Sequence, residues 1–380
     1  MRILQYLSGA APGRQRAGAA RRRWPGLARA CLAVGALALP TSWAAAQQPA
    51  PGLGARLVQG YISPAMNEFE RAAVQLRDDL AGWCRDDAAR PAPFLRQGYA
   101  RLVAAWSGIE FLRFGPLVQG NRFERIHFWP DPRGITVRQA QALLADPAGV
   151  PDARALSTHS VAVQGLPALE YVLYRDGGLL DGGRGAQRQA SCGYAVALAQ
   201  NLAALGGELA AAWAVGGSYA RLFSSPSADN ALYRNEREVA GEAVKALSTG
   251  LQFLREAKLQ PALGAEARRA NPRRAPFWRS GASIPAMSAS AGGMLRFYQA
   301  GGYVFERAQW IDENIRGELR RAQEGLDQLP PDLGRGLADE QGYRQLGLVS
   351  LLLGNARRLI DEDMASALGV RIGFNALDGD

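Results

Sequence analysis

The sequence predicts an all-α protein, on three observations. Apolar residues recur at alternating spacings of three and four along most of the chain. No stretch sustains the period-two alternation of branched residues that a half-buried strand needs. The breaks between periodic segments fall on glycines and prolines, and the longest of them, from Gly216 to Asn230, is also rich in polar residues. That break divides the chain into residues 55–217 and 218–380.

Residues 1–46 read as an export signal. Arg14, Arg16, Arg21, Arg22 and Arg23 form a basic region, Ala30 to Leu39 an apolar core, and Ala44-Ala45-Ala46 a small-residue cleavage site. The apolar core is too short to span a bilayer, so no transmembrane anchor is expected. Cys31 lacks the flanks of a lipid-anchor cysteine. The leader carries seven arginines and no acid, so its removal takes the net charge from +9 to +2. A nearly balanced chain gives no reason to expect nucleic acid. The remaining basic cluster, Arg268, Arg269, Arg273 and Arg274, reads as a solvated loop. Cys84 and Cys192 are the cysteines that stay; in an oxidising compartment they are expected to pair, two buried free thiols being the alternative.

In chain order, Ser63-Pro64 is expected to open the first helix, with Met66, Phe69, Ala73, Leu76, Leu80 and Trp83 as its apolar stripe. A second helix is expected from Phe94 to Phe114, stopped by Gly115-Pro116. Trp106, Glu110 and Arg113 would share one of its faces, with a local Glu110–Arg113 ion pair as the plainer reading. His127-Phe128-Trp129-Pro130-Asp131-Pro132 is a rigid turn, and Thr136 with Gln139 a capping box for a short helix to Leu144. From Ser157 to Tyr174 the pattern is helical but carries Gly165 and Pro167. The expectation is a kinked helix whose Val163 carbonyl is freed one turn from Glu170. Glu170 is then either a ligand-site acid, with Arg113 as its partner when the site is empty, or a core acid paired to an arginine. Long helices follow over residues 191–215, 238–258, 283–299, 305–329 and 340–368. The C-terminal Asn375, Asp378 and Asp380 end the chain on polar groups.

Most catalytic chemistry is excluded. His127 and His159 are the only histidines, so paired-histidine zinc motifs are absent, as are Cys-x-x-Cys, a nucleophile elbow and a dinucleotide fingerprint. What is left is a set of oxygen donors among aromatics: Glu110, Asp131, Glu170, Asp378 and Asp380. Such donors suit hard cations and, with a histidine, iron; acids paired to arginines are the competing account.

Four motifs in order, Trp106…Glu110…Arg113-Phe-Gly-Pro116, Phe128-Trp-Pro-Asp131, Gly165-Leu-Pro-Ala-Leu-Glu170 and Gly373-Phe-Asn-Ala-Leu-Asp-Gly-Asp380, resemble those of the imelysin-like family. The resemblance covers residues 57–370 as one domain. It implies two four-helix-bundle-like halves with a site at their junction, a periplasmic location in the cell envelope, and association with iron-uptake components. The implied ligand set is Trp106, Glu110, Arg113, Trp129, Asp131, Gly165, Pro167, Glu170, Asn375 and Asp378. Iron or another divalent metal would sit on Glu170 and Glu110. The family's Gly-x-His-x-x-Glu has Pro167 at its histidine here, which removes a metal ligand. The expectation is a non-catalytic binding or accessory protein; a metallopeptidase with a substituted ligand is the alternative.

Overall fold

The structure is a computed structural model that describes residues 52–85, 92–146, 149–181 and 185–371. The leader, with Cys31, and the C-terminal Asn375, Asp378 and Asp380 lie outside the described residues. All regular structure among the described residues is helical. The principal helices are α1 (Ser63–Arg85), α2 (Pro93–Ile109), α3 (Ile135–Ala145), α4 (Leu166–Tyr174) and α5 (Gly185–Trp213), then α6 (Glu236–Gln252), α7 (Ser283–Gly301), α8 (Trp310–Asp327) and α9 (Glu340–Arg358).

Ser63-Pro64 does not open a helix. The helical run begins at Leu53 and passes through Ser63, which has helical φ and ψ. Just before Pro64 the chain makes a π-helical turn, Val58–Ile62, in which the Ser63 N–H donates to the Val58 carbonyl. Proline removes one donor and crowds the carbonyl four residues back, and a wider turn absorbs both. The device recurs at Phe253–Leu259, just ahead of Pro261.

The α1 stripe of Met66, Phe69, Ala73, Leu76 and Leu80 is buried, and α1 packs along α5 and α2. A disulfide joins Cys84 at the end of α1 to Cys192 near the start of α5, with Cα atoms 5.7 Å apart. The segment Gly185–Ser224 is long and apolar enough to cross a membrane; here its Leu198, Leu202, Leu205 and Leu209 are core residues. The other side of α2 packs on α7. At that crossing a Cβ on Gly293 would lie 2.5 Å from the Gly108 carbonyl oxygen, so only glycine permits the approach. From α7 the packing continues to α8, then α9, then α6. Side-chain caps fix these helices: Asn235 accepts from the Glu238 N–H and Asp339 from the Gly342 N–H.

Two further expected elements differ. Helix α2 stops at Ile109, with Glu110 as its C-cap, instead of running to Phe114. Tight turns follow, with Arg113 N–H donating to Phe111 O and Phe114 N–H to Leu112 O. Pro116 disfavours the right-handed helical region for Gly115, which takes φ 56°, and the chain unwinds ahead of it. Glu110 and Arg113 therefore do not share a helical face.

The kinked helix is also absent. Val161–Val163 is a separate 3-10 turn, Gly165 is extended, and α4 starts at Leu166 with Pro167 in its first turn. There a missing N–H costs nothing, because the first-turn donors have no intrahelical partner anyway. The Val163 carbonyl is not free; it accepts from the Tyr194 hydroxyl at 2.8 Å. Gly165 is needed for space: a Cβ there would lie 2.2 Å from the Ile126 carbonyl oxygen. That contact sets the start of α4 against the His127 turn.

Candidate functional site

Two buried carboxylates anchor the region where α2, α4 and α7 come together with the loop after α6. Glu110 caps α2 and is 2% exposed. Its Oε1 receives hydrogen bonds from the Lys258 ammonium and from the Ser290 hydroxyl, and Ser290 lies on α7. Lys258 is fully buried in the π-helical segment Phe253–Leu259. His127 Nδ1 stands 3.6 Å from the other carboxylate oxygen, Oε2. Burial alone would raise the Glu110 carboxyl, but Lys258 and His127 outweigh it and bring its pKa down to about 2. Burial draws the Lys258 pKa down, and the carboxylate opposes that shift. This cluster is a closed ion pair.

His127 is the link to the second carboxylate. Its ring is fully buried and lies near-parallel to Phe277, 4.9 Å away, and to Trp129, 6.5 Å away. Burial lowers its pKa to about 4, so the imidazole is neutral at physiological pH. The ring lines a cavity of about 230 Å³ whose walls also include Trp129, Pro167, Glu170, Trp278 and Arg279. Glu170 Oε1 accepts from the Ser280 N–H at 3.0 Å and the Ser280 hydroxyl at 2.8 Å. Burial raises the Glu170 pKa against those bonds and the charge of Arg279. Neutral donors hold this acid; no ammonium does.

The remaining sequence-derived candidates divide. Trp129, Asp131, Pro167 and Glu170 line the one cavity. Gly165 sets the entry to α4. Asp131 is a helix cap, not a free ligand: its two oxygens accept from the Ile135 and Thr136 N–H groups, both at 2.8 Å. It replaces the expected Thr136–Gln139 box because Pro130 and Pro132 hold it over the start of α3. Trp106 is a core residue packed on Phe69, Phe123 and the edge of His127. Arg113 partners neither glutamate by ion pair; its guanidinium lies 3.8 Å from the Phe123 ring centre and 4.1 Å from that of Phe253. The early end of α2 turns it away.

Sequence reasoning missed Lys258, Ser280, Ser290 and Arg279, and assigned Arg273 to a solvated loop although it lines the cavity. Lys258 carried a signal. It continues the inward positions Leu247, Leu251 and Leu254, and all but two of the 44 basic residues are arginines. A lone lysine on an apolar stripe is a compact cation placed for burial. Ser280 carried none, since it meets Glu170 only through space.

The described residues do not fit a metal centre on Glu110 and Glu170. Lys258 already occupies Glu110 with a positive charge. Among the described residues no three His, Cys, Asp or Glu side chains gather around one point.

Comparison with known proteins places the chain. None of the curated proteins matches it. Among solved structures, an imelysin-like protein from Psychrobacter arcticum 273-4 superposes with a TM-score of 0.68 at 19% identity, over 87% of this chain and 99% of that one. A protein described as an iron-regulated protein A precursor from Parabacteroides distasonis ATCC 8503 gives 0.65 at 11% identity, over 83% and 95%. At such identities the likeness is one of fold. The family model for imelysin, Peptidase_M75, matches residues 64–351, and on that match the chain belongs to the imelysin family.

Proposed function

We propose that this imelysin is an exported, non-catalytic binding or accessory protein of the cell envelope, serving iron or metal uptake. The observation that carries the non-catalytic reading is the Lys258 ammonium on Glu110. A metallopeptidase needs a carboxylate or histidine set open to a metal and a water molecule. Here one acid holds an internal cation, the other is held by Ser280, and Pro167 stands where the resembling motif has its histidine. Export is supported by the leader sequence and by the Cys84–Cys192 disulfide, since disulfides persist in oxidising compartments. The iron association rests on family membership and on the name of the Parabacteroides protein.

The peptidase alternative is tested directly. Purified protein incubated with casein, with and without added zinc, is expected to leave the substrate intact. Chelator-sensitive cleavage that disappears in Glu170→Ala would overturn the proposal.

A further inference from the structure

The cavity beside Glu170 carries two arginines that form no ion pair among the described residues, the charge of Arg279 acting on Glu170 from farther off. Arg279 is half-buried, with its guanidinium 4.3 Å from the Trp278 ring centre and 5.7 Å from that of Tyr171. Arg273 is exposed at the same cavity and lies 5.1 Å from the Trp278 ring centre. Neither guanidinium has a carboxylate within ion-pair distance among the described residues. The two acids in the cavity wall are otherwise engaged: Asp131 by the amides that open α3, Glu170 Oε1 by Ser280. A guanidinium laid on an aromatic face keeps its in-plane N–H donors directed outward, the geometry that receives a carboxylate in bidentate fashion.

His127 adds a requirement of the opposite kind. Its ring is fully buried, lines the cavity, and has no hydrogen-bond partner on either nitrogen among the described residues. Nδ1 faces the Glu110 carboxylate, so the proton of the neutral ring belongs there, and Nε2 is left as an acceptor. A buried acceptor without a partner costs free energy that a ligand hydroxyl would recover. The ring stacks near-parallel to Phe277 and, farther off, to Trp129, which holds its plane fixed at the cavity wall.

We propose that this cavity binds a small 2-hydroxydicarboxylate, its carboxylates on Arg279 and Arg273 and its hydroxyl donating to His127 Nε2. The cavity volume of about 230 Å³ admits a molecule of that size and excludes a folded peptide segment. This deepens the proposed function, because it rests on the reading that the site binds and does not cut.

The test is calorimetric titration of the full-length processed protein with malate and with succinate, which differ only in the hydroxyl, at constant ionic strength. Malate is expected to bind at one per chain and succinate at least tenfold more weakly. Arg279→Gln should weaken malate at least tenfold, and His127→Phe, which keeps the ring stack, should remove the preference for malate. Absence of saturable malate binding, equal affinity for the two acids in the wild type, or unchanged malate affinity in Arg279→Gln would each overturn the inference. If malate fails to bind while casein also stays intact, this inference falls and the non-catalytic reading stands.

Discussion

Glu110 and Glu170 are buried to nearly the same degree, at 2% and 3% exposure, yet their carboxyls shift in opposite directions. Glu110 has an ammonium on one oxygen and is driven down to about 2. Glu170 has a hydroxyl and an amide on one oxygen and is pushed up by burial. The difference teaches that burial does not decide what a buried acid does; the charge of its partner does. Glu110 holds α2, the π-helical segment after α6 and α7 together. Glu170 faces a cavity.

The largest expected effect comes from breaking the closed pair. Lys258→Met leaves an uncompensated buried carboxylate and should lower stability by about 3–5 kcal/mol in urea unfolding. Adding Glu110→Leu to it should restore most of that loss, since an apolar pair of similar size removes both desolvation costs. A double variant as unstable as the single one would mean that the pair holds the fold by geometry and not by charge.

Acid sharpens the comparison next, through the signs of the shifts. His127 has a folded pKa of about 4, below its ordinary value of 6.5. As pH falls from 6.5 to 4 the unfolded chain takes up a proton that the folded chain refuses, so stability falls, by up to about 3 kcal/mol at the fully buried limit. Glu110 adds a further loss below pH 4.5, as pH approaches its folded value of about 2. Glu170 works the other way. Its raised pKa makes the charged form unfavourable above the ordinary carboxylate range, and its contribution improves as pH falls. The urea midpoint followed from pH 7 to 4 should decline in the wild type and flatten in His127→Gln.

The smallest effects belong to the open site. Glu170→Gln keeps an oxygen for the Ser280 donors and should change stability by no more than about 1 kcal/mol. Pro167→Ala, in the first turn of α4, should change it by less still, because no kink exists there to straighten. A loss of several kcal/mol in either variant would place Glu170 with Glu110 as a structural acid.

Much of the fold is legible in the sequence, and the failures have common causes. Helices α7 and α9 start where expected, at Ser283 and Glu340, but α9 gives way after Arg358 to a π-helical turn, Leu359–Met364, short of the expected end at Leu368. Pro64 and Pro167 each behave as the sequence suggests for the other. Pro64, expected to start a helix, sits inside one behind a π-helical turn, while Pro167, expected to kink a helix, starts one. A proline fixes only its own φ and removes one donor, and whether the preceding turn widens or ends depends on contacts distant in sequence. For Pro167 that contact is the Arg125–Ile126 backbone against Gly165. The cavity is half legible: Trp129, Asp131, Pro167 and Glu170 belong to the set the family resemblance implies, while Ser280 and Arg279 come from a loop more than 100 residues away.

The claim at the centre is that Lys258 takes the place of a metal ion at Glu110. Zinc titrated into the wild-type protein by calorimetry, with Glu110→Gln as the control, tests it most directly. The account predicts no stoichiometric zinc binding that depends on Glu110. One zinc per chain in the wild type, lost in Glu110→Gln, would contradict it.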